Sequence, residues 1–222
     1  MLKGTKAVQG IFLNLPENEE LQLSEEKKML EMKRIRLLKI HNVRNFSECG
    51  YLSNELRLSL ETLILLDLSN CEYLVEPSDF SRVPNLERLI LKGCKRLSKI
   101  HPPIEKLKQL MLLNLKGCES LDSLPQGICF NSLETIILSG CTKLDRFPEI
   151  VGKMSHLSQL YLDGTAIKGL PTSAKHLRSL ILLDLRDCKN LLSLLDFICS
   201  FTSLEIARKH RELGKIGETR CM

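Results

Sequence analysis

The chain has nine cysteines, and five of them recur at one place in a repeated phrase. "LKGC" stands at 91–94 and 115–118, and "LSGC" at 138–141. Cys71, Cys94, Cys118, Cys141 and Cys188 hold the same position in successive segments, and Thr165 stands where one more would fall. A cysteine can be a nucleophile, a metal ligand, half of a disulfide or a small buried side chain. Spacing separates these. Structural zinc takes ligand pairs of the C-x(2–4)-C kind, and the sequence has none. A secreted disulfide framework does not set its cysteines in single file. Threonine in the same slot suits a small, weakly hydrogen-bonding core residue and suits neither a ligand nor a nucleophile. The expectation is a structural ladder of inward thiols, each donating to a neighbouring backbone carbonyl. Cys129 and Cys199 read as buried spacers on return segments, and Cys49 and Cys221 lie outside the pattern.

Other chemistry is thinly provided. No phosphate-cradling G-x-x-x-x-G-K and no G-x-G-x-x-G occurs. The five histidines, at 41, 101, 156, 176 and 210, have no spacing that pairs them with a cysteine. Asp163 and Asp187 read as solvated face. We expect no catalytic residue, no metal and no cofactor, hence no enzyme.

The elements that carry the cysteines are repeats. Leu63, Leu86, Leu110, Leu133, Leu157 and Leu180 each open a near-match to L-x-x-L-x-L-x-x-C-x-x-L, at intervals of 23 or 24 residues, and Leu204 falls 24 further on. Within L-x-L the apolar residues alternate, the period of a short strand. Leu66 and Leu68 then face one way, Leu65 and Asp67 the other. Small residues such as Gly93, Gly117, Gly140 and Gly164 follow and turn the chain through the cysteine position. A second inward set lies on the return: Ile100 with Ile104, Leu124 with Ile128, Phe147 with Ile150, Leu170 with Ala174, and Leu194 with Ile198. Prolines at 102, 103, 125, 148 and 171 favour an irregular or short helical return over a long helix. One repeat cannot bury its apolar face alone, so the repeats must stack. The predicted fold is α/β: a leucine-rich-repeat solenoid with a parallel β-sheet on its concave face and an irregular or short helical convex side. We divide the chain into an N-terminal flank (1–58) with a helix and early irregular repeats, a solenoid of about six regular repeats (59–204), and an atypical tail (205–222).

Composition agrees with a folded, soluble chain. Of its 222 residues 43% are apolar and 27% charged, with a net charge of +5. The solenoid carries only +1 of this, too little for a phosphate-tracking face, so no nucleic acid is expected. No apolar run approaches the ~20 residues of a membrane helix, and "MLKGTKAVQGIFLNLPENEE" makes a poor signal peptide. The expected location is cytoplasmic, with the nucleus as an additional site, and no membrane contact.

Binding must use residues that the core does not need. Three outward columns can be read along the strands. The first is Leu65, Arg88, Leu112, Thr135, Gln159, Leu182. The second is Asp67, Ile90, Asn114, Ile137, Tyr161, Asp184. The third is Ser69, Lys92, Lys116, Ser139, Asp163, Arg186. Apolar residues with Tyr and Arg anchors form the kind of surface that proteins bind.

"DFSRVPNLERLILKGCKRL", "LNLKGCESLDSLP", "SLETIILSGCTKLDRFPEI", "LYLDGTAIKGLP" and "RDCKNLLSL" resemble the leucine-rich repeats of plant TIR-NBS-LRR disease-resistance proteins of the tobacco mosaic virus resistance protein N class. "KGTKAVQGIFLNL", "MKRIRLLKI" and "YLSNELR" are similar to the family's segment between nucleotide-binding module and first repeats. In "SEEKKMLEMKR" we read an amphipathic helix, and in Met32-x-x-Ile35-x-Leu37 an early strand unit. The likeness departs in two places. After "NELR", Leu58 runs directly into "SLETLILLDL" without the family's tryptophan-containing repeat, and "EIARKHRELGKIGETRCM" abandons the leucine pattern without an obvious cap. No segment resembles the TIR or nucleotide-binding modules, so their chemistry does not carry over. The resemblance implies a non-enzymatic recognition module in plant defense signal transduction and innate immunity. Its protein partner would be a pathogen effector, a guarded host protein or a nucleotide-binding receptor module. The alternative is a generic intracellular leucine-rich-repeat adaptor.

Overall fold

The computed structural model describes residues 9–14, 35–42, 61–76, 80, 83–100, 104, 106–192 and 201–208. Among the described residues nine strands form one wholly parallel sheet. They are β1 (Gly10–Asn14), β2 (Leu37–His41), β3 (Leu65–Asp67), β4 (Arg88–Ile90), β5 (Leu112–Asn114), β7 (Thr135–Ile137), β9 (Gln159–Tyr161), β10 (Leu182–Asp184) and β11 (Ile206–Arg208), stacked in chain order. Two-residue strands β6 (Gly127–Ile128) and β8 (Glu149–Ile150) pair on the return side. A 3-10 helix, Thr172–His176, also lies on the return side among the described residues. The described residues hold no α-helix, so the molecule is a parallel-sheet leucine-rich-repeat solenoid with a largely irregular return.

Three residues suffice for each strand from β3 to β10 in the sheet because each is held on both sides. The register pairs Leu66 with Leu89, Leu89 with Leu113, Leu113 with Ile136, Ile136 with Leu160 and Leu160 with Leu183. All six are buried, and the first and third leucines of each unit are buried with them. The return-side residues close the core from below. Ile100, Ile104, Ile128, Phe147, Ile150, Leu170 and Ala174 are buried and Leu124 is half-buried. Leu194 and Ile198, and the helix read at 24–34, lie outside the described residues.

The early strand unit needs a correction. Leu37 pairs with Leu65 and Leu38 with Leu66. The inward set is therefore Ile35, Leu38 and Ile40, all buried, whereas Leu37 is exposed on the opposite face. Two adjacent leucines made both readings possible in the sequence, and parallel pairing with β3 selects one. A slip of one residue would have turned the whole inward set to solvent. The sheet also extends past the leucine pattern at both ends. β1 pairs with β2 through Ile11 and Leu13, and β11 pairs with β10 in the segment that follows Leu204.

The turns after β2, β3, β4, β5, β7, β9 and β10 share one backbone solution. Gly93, Gly117, Gly140 and Gly164 have φ between 68° and 73°, and Asn42, Asn70 and Asp187 take φ of 62°, 60° and 59° at equivalent places. This is the left-handed region, which glycine enters freely and Asn or Asp with least penalty among the other residues. The glycine of "LKGC" thus turns the chain so that the next residue, cysteine, points inward.

Candidate protein-binding face

The thiol ladder forms as its spacing requires. Cys94 Sγ donates to the Leu68 carbonyl at 3.1 Å, Cys118 to Leu91 at 3.1 Å, Cys141 to Leu115 at 3.2 Å and Cys188 to Leu162 at 3.1 Å. Each acceptor belongs to the preceding repeat. Cys71 Sγ sits 3.5 Å from the Ile40 carbonyl in the same relation. Thr165 differs. Its shorter side chain donates to Leu162 within its own repeat at 2.7 Å, and it also touches Cys188 Sγ at 3.4 Å. Burial pushes the Cys94 and Cys141 thiols up to about 12, and raises those of Cys118 and Cys188 as well. Such thiols remain protonated at neutral pH and are poor nucleophiles. Among the described residues no group of three His, Cys, Asp or Glu is placed to hold a metal ion. Cys129 is half-buried and lies apart from the ladder.

The opposite side of the same strands carries the three columns. Pairing aligns Leu37, Leu65, Arg88, Leu112, Thr135, Gln159, Leu182 and Ile206 in one row. It aligns Phe12, Lys39, Asp67, Ile90, Asn114, Ile137, Tyr161 and Asp184 in the next. Both rows are longer than the leucine pattern indicated. Phe12, Leu37, Lys39 and Ile206 belong to them, and Phe12 is 64% exposed with Lys39 Nζ 5.1 Å from its ring centre. Signals for these four were weak, because β1 and β11 lack the leucine phrase and β2 offered two registers. The apolar members Leu65, Ile90, Leu112, Ile137, Tyr161 and Leu182 are half-buried by their neighbours along the sheet. Tyr161 Oη donates to Gln159 Oε1 at 3.2 Å, which fixes its ring across the face.

Simple alternation placed Asp67, Asp184, Ser69 and Ser139 in solvent, and here the structure disagrees. All four are buried. A carboxylate at the end of a strand curls over the backbone two residues on. Asp67 Oδ1 accepts from Ser69 N at 3.0 Å and from its hydroxyl at 2.5 Å. His41 Nε2 lies 3.1 Å from the same oxygen without hydrogen-bond alignment. Asp184 is fully buried beneath Arg186, whose Nε and Nη2 reach it at 2.9 and 2.7 Å. Arg186 N also donates to Asp184, at 3.2 Å. Asn114 Oδ1 accepts from Lys116 N in the same geometry at 3.0 Å. Asp163, read as solvated, is half-buried and accepts from Ser139 Oγ at 2.5 Å. Asp187 is exposed, in one of the left-handed turns. His156 and His176 are exposed, while His101 and His210 lie outside the described residues.

A second ladder runs along the strand-entry edge and had no sequence signature. Asn85 donates to the Glu61 carbonyl, Ser132 to Lys108, Ser179 to Ser155 and Thr202 to Arg178, each 24 residues back. Any residue with a short donor serves here, so no single letter repeats.

No family model matches the chain. A 50-residue stretch is 48% identical to disease resistance protein RUN1 of Vitis rotundifolia, and an equal match exists to disease resistance protein RPV1 of the same plant. That stretch is 22% of this chain and 4% of either relative's length. The leucine-rich-repeat domain of the type III effector XopL superposes with a TM-score of 0.68 over 84% of this chain and 72% of its own, at 22% identity. No helix among the described residues is long and apolar enough to cross a membrane. The chain is a leucine-rich-repeat solenoid, part of which is similar to plant disease-resistance proteins.

Proposed function

We propose that the chain is a non-enzymatic protein-interaction module of a plant innate-immune receptor, which reads a pathogen effector or a guarded host protein with the outer face of its sheet. The observation that carries this reading is the apolar set of two adjacent rows, Leu65, Leu112 and Leu182 in one and Ile90, Ile137 and Tyr161 in the next. Six apolar side chains stand half-exposed on a rigid parallel sheet, where the core has no use for them. Arg88, Thr135 and Gln159 alternate with them along the first row, and Lys92, Lys116 and Asp163 border the second, so apolar and polar side chains are mixed across the face. Asp184 fixes Arg186 in place and is itself out of reach. The local similarity to RUN1 and RPV1 supports a role in defense. It favours a defense component over a generic adaptor.

The test replaces Ile137 and Tyr161 together by aspartate. Binding to the cognate partner, measured by titration with purified components, should fall at least a hundredfold while the circular dichroism spectrum persists. Unchanged affinity in that double variant would place the site elsewhere.

A further inference from the structure

The acidic and basic residues of the outer face differ in how they are used. The three columns contain three carboxylates, Asp67, Asp163 and Asp184, and each is committed within the fold. Asp67 holds Ser69, Asp163 holds Ser139, and Asp184 is clasped by Arg186. The cations are not committed in the same way. Arg88, Lys92 and Lys116 are exposed, and among the described residues none of their side chains meets an acceptor or a carboxylate. Lys92 and Lys116 follow Ile90 and Asn114, which are register partners on β4 and β5. Two like charges therefore stand on adjacent rungs, about 4.8 Å apart along the sheet, and such neighbours repel. Glu87 and Glu134 lie at the strand-entry edge. Glu87 adjoins Arg88, whereas five residues of extended chain, roughly 16 Å, separate it from Lys92, beyond the screening length of ~8–10 Å at ordinary salt, so the two lysines are the cations farthest from any edge carboxylate.

We infer that Arg88, Lys92 and Lys116, set beside Ile90, Leu112 and Ile137, form the seat for an acidic segment of the partner protein that also carries an apolar anchor. This rests on the outer face being the binding surface, and it adds the chemistry of what binds there. Free cations next to an apolar row favour carboxylates flanking a hydrophobic side chain. Charge complementarity of this kind sets association rate and partner choice. Three cations beside an aliphatic row make a poor nucleic-acid track, which needs many phosphate contacts and stacking aromatics.

The intact chain and its Lys92→Glu/Lys116→Glu variant can each be used to select dodecapeptides displayed on phage, with Lys92→Gln/Lys116→Gln as a milder second variant. Circular dichroism first establishes that each is folded. The pool selected on the native chain should be net negative and contain at least one large apolar residue. The charge-reversed chain should select a net-positive pool, and native-pool peptides should bind either variant at least tenfold more weakly. Pools of equal charge on the native and reversed chains would overturn the inference. So would a 20-nucleotide single-stranded DNA that binds the native chain as tightly as the selected peptides. Ile137→Asp/Tyr161→Asp separates this from the broader reading. If it abolishes peptide binding while charge reversal changes nothing, the face binds but not through acidic recognition. If charge reversal acts and the double aspartate does not, the apolar row is not the anchor.

Discussion

Ile136 and Ile137 are neighbours on one three-residue strand, and they belong to different worlds. Ile136 is buried between Leu113 and Leu160 in the stacked core. Ile137 faces the other way, half-exposed between Asn114 and Tyr161. On the inner face the strand positions are leucine in every regular repeat apart from Ile136, because each repeat packs against others like itself. Across the outer face residue types vary freely along each column. What is uniform is what the fold requires, and what varies is available to a partner.

Predictions that break or sharpen this contrast can be ordered by size. The largest effect lies at the middle leucine. Leu113→Ala or Leu160→Ala should cost about 2–5 kcal/mol by urea denaturation, since each side chain is almost wholly buried and its neighbours are locked in register. The left-handed turn comes next. Gly140→Ala should cost roughly 1–2 kcal/mol from backbone conformation alone, because a Cβ there would have ordinary room beside Gly117. Gly93→Ala should cost about the same, because the atom its Cβ would meet is the tip of the exposed Asn70 side chain, which can turn aside. Smaller again is the ladder. Cys118→Ala loses one weak hydrogen bond and a little volume, about 1 kcal/mol. Cys118→Thr should be milder, since Thr165 already occupies such a slot.

The ladder also sets a pH response. A thiol whose pKa is raised by folding binds its proton more tightly in the folded chain than in the unfolded one. Stability from Cys94 and Cys141 is therefore complete below pH 9.0 and declines as pH rises from 9.0 to about 12. Urea midpoints at pH 8, 9.5 and 10.5 should fall more steeply for the native chain than for Cys94→Ala. Equal slopes would show that the thiols are not the groups being titrated.

The two faces also differ in how far they could be read from sequence. The inner face was legible because a side chain in a stacked core has few substitutes. Leucine at fixed intervals, glycine at the turn and cysteine after it each answer one geometric demand. Thr165 shows how narrow the tolerance is: it fits, but it donates within its own repeat. Legibility failed where several residues answer one demand equally well. Leu37 and Leu38 could each have faced inward, and only pairing with β3 decides between them. Asn70 and Asp187 adopt the glycine conformation without advertising it. Alternation assigned Asp67 and Asp184 to solvent because it counts direction alone. A short carboxylate can instead bend back to the backbone N–H two residues on, and the hydrogen bond offsets the cost of burying it. The entry-edge ladder of Asn85, Ser132, Ser179 and Thr202 was invisible for the opposite reason, since any short donor suffices.

The most direct measurement compares Ile136→Ala with Ile137→Ala by urea denaturation of the intact chain at one pH and salt concentration. The same chemical change is made one residue apart on the same strand. The inner substitution should cost about 2–4 kcal/mol, and the outer one below ~1 kcal/mol, since a half-exposed side chain loses little burial. Equal losses at the two positions would contradict the division between a face that holds the fold and a face free to bind.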